Sequence, residues 1–313
     1  MLRSLLLIFF AGAALAQTPK APIRIVVPYA AGGLPDVVAR TVGARLSENI
    51  GQPVVAENRA GAGGVLASET VIRAQPDGTT LLVADSSIYS INPVISRKLP
   101  FDTLKELAPI TLAVDAPIFL AVNASVPAQN VQELIALAKA KPGMSYGSSG
   151  PGTGHHLAME LIRVLAGLEL THVPYKGAGQ SVPAAVAGDV AMVFAGLNSL
   201  LPHAKSGRLR ILAVAIGKRS ELYPEAPSIA ETIPGYEVNI TIGFLAPART
   251  PREIVNALSA QFNRAIASPD VKQRLNSLGV APVGTTPERF AEAIRAELGQ
   301  YGELVKRANF RVD

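Results

Sequence analysis

The residues with the clearest potential for chemistry lie in a glycine turn that joins an apolar strand at residues 25–27 to a helix. The turn consists of Tyr29, Ala30, Ala31, Gly32 and Gly33. Asp36 is the expected N-cap of the helix, in which apolar residues recur at every fourth position from 38 to 50. The first turn of a helix has unpaired N–H groups and the positive end of the helix dipole, so a carboxylate or phosphate could bind there. The alternative is a tight turn that binds nothing.

A second loop repeats this layout between a strand at 144–149 and a helix from 155, and it adds hydroxyl groups that can donate hydrogen bonds. Its candidate ligand-binding residues are Ser148, Ser149, Gly152, Thr153 and His155. Another strand, at 79–85, ends at Asp85 and is followed by Ser86 and Ser87. Such loops in separate halves of one chain predict a cleft that binds a small anion, although helix capping alone would also explain the hydroxyl groups.

Metal and catalytic motifs receive little support. His155 and His156 are adjacent on a helix and therefore point about 100° apart, so they cannot both face one ion unaided. The sequence contains no cysteine, which excludes disulfides, a thiol nucleophile and cysteine-ligated metals. The segment GSSGP at 147–151 lacks the second glycine of the nucleophile elbow, and no phosphate-binding or dinucleotide-binding glycine motif occurs. We therefore expect no cofactor and no catalysis.

The amino-terminal residues predict export. Residues 1–16 contain one basic residue, an apolar run and a small-residue ending, which is typical of a signal peptide cleaved after Ala16. The formal net charge is +5, from 29 Lys and Arg against 24 Asp and Glu. These charges are scattered, and tryptophan is absent, so nucleic acid is not an expected partner. We expect a soluble monomer in the periplasm.

Strand and helix patterns alternate along the remaining chain, which predicts α/β architecture with mostly parallel sheets. We expect two lobes with a ligand cleft between them. The predicted divisions are a first lobe at 22–122, a second lobe at 123–232, and a helix-rich return to the first lobe at 233–313.

Several longer motifs occur in order along the chain. They are PYAAGG at 28–33 with Asp36, GQPVV at 51–55, ENRAGAGG at 57–64, PDG at 76–78, INP at 91–93, LPFD at 99–102, HVPYKG at 172–177, and PA at 247–248 followed by TP at 250–251. In these motifs the chain resembles the Bug-type substrate-binding proteins of the tripartite tricarboxylate transporters.

The resemblance implies a type II periplasmic-binding-protein fold without catalysis. It also implies that a small carboxylate or related metabolite is held by backbone amides and water. A membrane permease would then recognise the closed form of the receptor. The residues that it implicates in the first lobe are Tyr29, Ala30, Ala31, Gly32, Gly33, Asp36, Ser86 and Ser87. Those in the second lobe are Ser148, Ser149, Gly152, Thr153 and Tyr175.

The chain departs from the family pattern at three places. Pro35 replaces a threonine that often precedes the aspartate, which removes a hydroxyl and an N–H. Ala84-Asp85-Ser86 stands where relatives tend to have Gly-Ser-Ser, and FAGLNS at 194–199 stands for Phe-Asp-Asn-Leu-Pro-Ser. If Asp85 faces the cleft, it favours a ligand with a cationic or N–H donor group; it could equally point to solvent.

Two other functions remain open from the sequence. One is an exported hydrolase that uses Ser148 or Ser149 with His155 or His156. The other is a ligand-sensing co-receptor for a signalling partner, which would share the binding step.

Overall fold

The computed structural model describes residues 21–96 and 99–308. The predicted signal peptide at 1–16 lies outside the described residues. Within them, two separate sheets with helices packed around each account for the α/β architecture that the sequence predicts.

The first sheet has six strands in the order β11-β4-β10-β3-β1-β2. The strands are β1 (Ile23–Val27), β2 (Val54–Asn58), β3 (Thr80–Asp85), β4 (Leu107–Asp115), β10 (Thr241–Pro247) and β11 (Ala281–Pro282). Its helices are α1 (Leu34–Ile50), α2 (Val65–Ile72), α3 (Asn92–Ile95), α4 (Thr103–Glu106), α9 (Arg252–Ala267), α10 (Pro269–Ser277) and α11 (Pro287–Ala308). Apolar side chains of α1 and α9 pack with strand residues such as Phe244, which is fully buried, so this lobe has its own core.

The second sheet has five strands in the order β7-β6-β8-β5-β9. They are β5 (Ile118–Asn123), β6 (Met144–Ser148), β7 (Leu170–Pro174), β8 (Met192–Gly196) and β9 (Leu209–Val214). The helices between them are α5 (Val131–Ala140), α6 (Gly154–Ala166), α7 (Ala178–Ala187) and α8 (Leu197–Lys205). Buried side chains such as Tyr146, Phe119 and Phe194 form the core on both faces of this sheet.

The prediction of mostly parallel sheets was wrong. Strands β1, β2 and β3 run parallel, as do β6, β7 and β8, but β10 is antiparallel to both β3 and β4, and β5 is antiparallel to β8 and β9. The reason is the path between lobes: the chain leaves the first lobe along β4 and returns along β10, so these neighbours run in opposite directions.

The structure moves both predicted lobe boundaries, since Ile233 and Val238, which the sequence analysis assigned to the return to the first lobe, pack in the core of the second lobe. Strand β5 belongs to the second sheet, whereas the sequence analysis assigned residues 117–122 to the first lobe. We therefore place the first crossing at residues 116–117 and the return crossing at 238–240. The Ala116 N–H donates to the Ile240 carbonyl oxygen at 2.8 Å, which ties the two crossing segments together. The Val238 N–H donates to the Ala215 carbonyl oxygen of the second lobe at 2.8 Å.

Helix α11 braces this crossing region. Its partly buried Glu297 accepts hydrogen bonds from the Ser90 hydroxyl at 2.7 Å and the Thr241 hydroxyl at 2.6 Å. Further along, the Tyr301 hydroxyl donates to the Asn239 carbonyl oxygen, and Leu304 packs into the second lobe's core. The carboxy-terminal helix therefore contacts both lobes as well as the crossing. None of the helices in the described parts of the chain has the length and apolarity needed to cross a membrane.

Glu297 makes stability depend on pH. Burial, with the nearby Asp115 and Asp85, raises the pKa of Glu297 to about 7 from its usual 4.5. Below pH 4.5 the carboxyl is neutral in both folded and unfolded chains. As the pH rises towards 7 the unfolded chain ionises first, so this group's contribution to stability is lost.

We therefore expect Glu297→Gln to match the wild type near pH 4.5 and to exceed its free energy of unfolding at pH 8 by on the order of 1–3 kcal/mol. Urea unfolding between pH 4.5 and 8 measures this difference. Glu303→Gln is the control, since Glu303 lies on the same helix with 73% of its side chain exposed. A Glu297→Gln advantage that does not grow with pH would contradict this assignment.

Candidate functional site

An enclosed cavity lies between the two lobes, next to the crossing segments. Its lining residues come from both sheets and from both crossing segments: Tyr29, Gly33, Leu34, Pro35, Asp85, Ala116, Ile118, Ser149, His155, Ala178, Gly196, Ile240 and Ile242. The cavity volume is about 30 Å³, room for about two water molecules. The lobes are thus closed tightly over it.

Two direct hydrogen bonds hold the lobes together beside the cavity. The Ala30 N–H in the first-lobe turn donates to the Lys176 carbonyl oxygen of the second lobe at 3.0 Å. The Gly154 N–H at the start of α6 donates to the Ser87 hydroxyl of the first lobe at 2.8 Å. A Cβ atom on Gly179 would lie 2.5 Å from the Ala31 carbonyl oxygen, so only glycine permits this approach of the two backbones.

Four helix amino termini converge on the cavity. Gly33 and Gly196, the N-caps of α1 and α8, line it, as does Ala178, the first residue of α7. None of these three helices has a side-chain hydrogen bond at its N-cap. His155, in the first turn of α6, lines the cavity as well. Backbone N–H groups and helix dipoles from both lobes therefore favour negative charge here.

No lysine or arginine is among the residues that line the cavity, as far as the structure describes them. An anion held there would depend on backbone N–H groups, on hydroxyls and on water. This is the kind of binding that glycine turns at helix termini provide.

Asp36 organises the first-lobe turn and does not line the cavity. Its Oδ2 accepts from the Gly32 N–H at 3.0 Å, and its Oδ1 accepts from Arg40 Nε and Asn58 Nδ2, both at 3.0 Å. Although Asp36 is largely desolvated, these donors hold the pKa of its carboxyl below its usual value. Asn58 also donates to the Tyr29 carbonyl oxygen at 3.0 Å, so the turn is fixed from two sides.

The predicted role of Asp36 as the N-cap was wrong. Helix α1 begins at Leu34 with Gly33 as N-cap, because the fixed φ of Pro35 suits the first helical turn and starts the helix before Asp36. In the turn, Gly32 has a φ of +85°, which glycine tolerates, whereas Gly33 has an ordinary φ of −71°.

Asp85 faces the cavity and is only 5% exposed. Its Oδ1 accepts from the Tyr29 hydroxyl at 2.9 Å and from the Ser87 N–H at 3.0 Å. Burial raises the pKa of Asp85 to about 6, although these hydrogen bonds oppose the rise. Burial and the nearby Asp85 carboxylate raise the pKa of the Tyr29 hydroxyl, so this hydroxyl stays protonated and donates.

Ser149 and His155 form the polar part of the second-lobe wall. Ser149 Oγ and His155 Nδ1 are hydrogen-bonded at 2.5 Å. Burial lowers the pKa of His155 to about 4, so its imidazole is neutral at pH 7. In the described chain no carboxylate is hydrogen-bonded to His155, so the third member of a catalytic triad is missing.

The other predicted second-lobe residues support this wall from behind. Ser148 Oγ is hydrogen-bonded to His172 Nε2 at 2.6 Å and accepts from the Gly150 N–H at 3.1 Å. Thr153 caps α6, with its hydroxyl donating to the Gly150 carbonyl oxygen at 2.8 Å. The Gly152 N–H donates to His156 Nδ1 at 3.3 Å, and His156 stacks on His172 with ring centroids 4.0 Å apart.

Of the fifteen predicted site residues, the structure brings five to the cavity wall: Tyr29, Gly33, Asp85, Ser149 and His155. Tyr175 instead lines a neighbouring groove, which shares Tyr29 and Ser149 with the cavity. Ser86 is buried at the crossing, where its hydroxyl accepts from the Thr241 N–H at 3.3 Å. The remaining predicted residues form the loops that position these groups.

Sequence reasoning missed the apolar wall. Ala116, Ile118, Ile240 and Ile242 lie on the crossing segments and the strand residues next to them, and in the sequence they look like ordinary core residues. Only the knowledge that the chain crosses between lobes at these positions would have indicated them. At the third departure from the family pattern, Asn198 keeps a polar group close to the cavity: its buried Oδ1 lies 2.7 Å from where a Gly196 Cβ would be.

Comparison with known proteins places this geometry in a family. The model of the tripartite tricarboxylate transporter family receptor matches residues 38–310. The UPF0065 protein in the tcbD-tcbE intergenic region of Pseudomonas sp. strain P51 is 37% identical over 290 residues, which cover 92% of this chain and 86% of that protein. Protein BugT of Bordetella pertussis is 32% identical over 297 residues, which cover 94% of this chain and 91% of BugT.

Several solved structures resemble this chain in both fold and sequence. A structure described as a periplasmic transporter has a TM-score of 0.89 and 37% identity, covering 94% of this chain and 99% of its own. The structure of an R. palustris protein with adipate has a TM-score of 0.90 and 32% identity, and it covers 94% of this chain and 99% of its own. MatC from Rhodopseudomonas palustris with bound malate has a TM-score of 0.88 and 29% identity, and it covers 92% of this chain and 100% of its own.

The matched residues include all of the second sheet, the first sheet except β1, and every helix terminus at the cavity except that of α1, because β1 and the first residues of α1 precede the match. The fold is that of periplasmic binding proteins, and the chain belongs to the tripartite tricarboxylate transporter receptor family.

Proposed function

We propose that this receptor captures a small carboxylate-containing metabolite in the cavity between its lobes and delivers it to a tripartite tricarboxylate transporter permease. The observation that carries the proposal is the convergence of four helix amino termini, from both lobes, on an enclosed cavity whose described lining has no basic side chain. Backbone dipoles supply the positive potential, and they cannot be titrated or rotate away.

The bound molecules of two relatives support a carboxylate. The related R. palustris protein was solved with adipate, and MatC with malate, which are both small dicarboxylates. Uncapped helix amino termini bind anionic groups, a carboxylate among them.

Hinge closure is the proposed mechanism. With the lobes closed this tightly the cavity holds about 30 Å³, so the ligand-bound form closes around a metabolite of several carbon atoms with a wider gap between the lobes. The lobes must therefore separate to admit the ligand, which means breaking the Ala30–Lys176 and Gly154–Ser87 hydrogen bonds. The crossing segments at 116–117 and 238–240 are short and paired, as a hinge requires.

The proposed location is the periplasm, after removal of residues 1–16 by cleavage following Ala16. The receptor would act as a monomer whose closed form is recognised by the permease, and it would need no cofactor.

We also propose that the protein is not an enzyme. Ser149 and His155 are hydrogen-bonded, but burial holds the His155 pKa near 4, which makes it a weak general base at neutral pH. Ser148 is buried, and its hydroxyl is engaged with His172 and the Gly150 N–H. We therefore assign the polar groups of this wall to orienting a bound ligand.

We expect Gly33→Val to abolish or strongly weaken ligand binding while the fold is kept. Gly33 lines the cavity with an ordinary φ, and a Cβ there would meet only the Ala30 carbonyl oxygen, at 3.6 Å. A screen of carboxylates, amino acids and aromatic acids by thermal unfolding finds the ligand. At 100 times its Kd, a ligand adds about 2.7 kcal/mol to the free energy of unfolding of the wild type, a rise of a few degrees in Tm.

The matched control is Gly299→Val, at an exposed position of α11 where a Cβ has open space. It should keep the full ligand-induced rise in Tm. A folded Gly33→Val protein with unchanged affinity would show that the first-lobe turn does not bind the ligand. No rise in the wild type with any compound would overturn the receptor function.

Ser149→Ala separates binding from catalysis. We expect the ligand to be chemically unchanged after prolonged incubation with the wild type, which mass spectrometry of the ligand measures. Removing the hydroxyl should weaken binding several-fold through the loss of one hydrogen bond. Product formation by the wild type that the substitution abolishes would favour the hydrolase instead.

A further inference from the structure

We propose that Asp85 makes this receptor select ligands that carry a cationic or N–H donor group in addition to their carboxylate, in preference to plain dicarboxylates. This inference rests on the proposed receptor function and specifies the ligand class. It follows from the distribution of charge over the cavity wall.

Asp85 is the one carboxylate that lines the cavity, and the described lining contains no cation to balance it. Among the described residues Asp85 has no ion-pair partner, and its hydrogen-bond donors are neutral: the Tyr29 hydroxyl, groups of Ser87 and the Ile88 N–H. A buried carboxylate without a cationic partner is costly, and a ligand that brings an ammonium or N–H group removes that cost.

The charge of Asp85 works against a second carboxylate. Two carboxylates brought close together in a poorly solvated site repel each other. Burial already raises the pKa of Asp85 to about 6, so a further negative charge placed close to this carboxyl is disfavoured. A dicarboxylate whose second group reaches Asp85 must therefore be protonated or bind weakly.

The other walls restrict the body of the ligand. Leu34, Ile118, Ile240 and Ile242 supply aliphatic surface, and His155 is neutral at pH 7. The helix termini favour one anionic group, and Asp85 favours one donor or cationic group. The cavity thus matches a small molecule with both groups on a short apolar frame, as in amino acids.

The test uses probe sets of equal length that differ in one end group. The sets are butyrate, succinate and 4-aminobutyrate, and hexanoate, adipate and 6-aminohexanoate; norleucine adds an α-amino group. Isothermal titration calorimetry at pH 7.5 gives a Kd for each probe. We expect at least one amino-bearing probe to bind the wild type at least tenfold more tightly than the mono- and dicarboxylate of its length.

Asp85→Asn removes the charge while its Oδ1 can still accept from Tyr29 and Ser87. We expect this variant to weaken binding of the preferred amino-bearing probe at least tenfold and to tighten binding of the matching dicarboxylate. Asp189→Asn is the control, because it makes the same change at an exposed position in the second lobe and should alter neither Kd. Unfolding temperatures without probe show whether both variants fold.

Each outcome has one meaning. If a mono- or dicarboxylate binds the wild type as tightly as its amino analogue, or if Asp85→Asn leaves the preference unchanged, the inference is overturned while the receptor function stands. If no probe and no member of the wider carboxylate screen binds, the receptor function itself fails, and this inference fails with it. A reversal of preference in Asp85→Asn alone establishes the role of Asp85.

Discussion

Closure of the two lobes is the constraint on which the rest of the structure depends. The Ala30–Lys176 and Gly154–Ser87 hydrogen bonds connect loops that lie far apart in sequence. They bring the amino termini of α1, on one lobe, and of α6, α7 and α8, on the other, to the same small volume. A single lobe has only part of this wall, so it cannot surround a ligand. Binding and closure are therefore one event, in which the ligand stabilises the closed arrangement by its differential affinity for it.

The hinge has its own polar cluster next to the ligand wall, and Asp85 lies close enough to contribute to the raised pKa of Glu297. Glu297 of α11 holds Ser90 and Thr241 together, and Tyr301 holds Asn239 on the returning segment. Asn239 in turn donates to Asp115, at the end of β4, at 2.8 Å. The carboxy-terminal helix thus fixes where the crossing segments sit, while the loops at the cavity decide what is bound.

Much of this organisation could be predicted from the sequence, because glycine turns after apolar strands have a strong local signal. The turn at 29–33, the second loop at 148–154 and the end of β3 were all predicted, and they meet around one cavity. Residues with only a long-range role could not be found in this way. Ile240 and Ile242 look like strand residues, and the antiparallel pairing of β10 depends on a return path that no local pattern encodes. Asp36 and Ser148 were predicted to bind ligand because their chemistry suits it, yet the structure engages both in holding loops.

The most direct test of the account is a distance measurement between the lobes. The chain has no cysteine, so Arg73→Cys in the first lobe and Lys141→Cys in the second would give two unique labelling sites at exposed positions. Double electron–electron resonance on the spin-labelled pair reports the distribution of distances between them. With saturating ligand, the account predicts that a broad distribution becomes a single narrow one, that of lobes closed around the ligand. An identical distribution with and without a ligand shown to bind would contradict capture by closure.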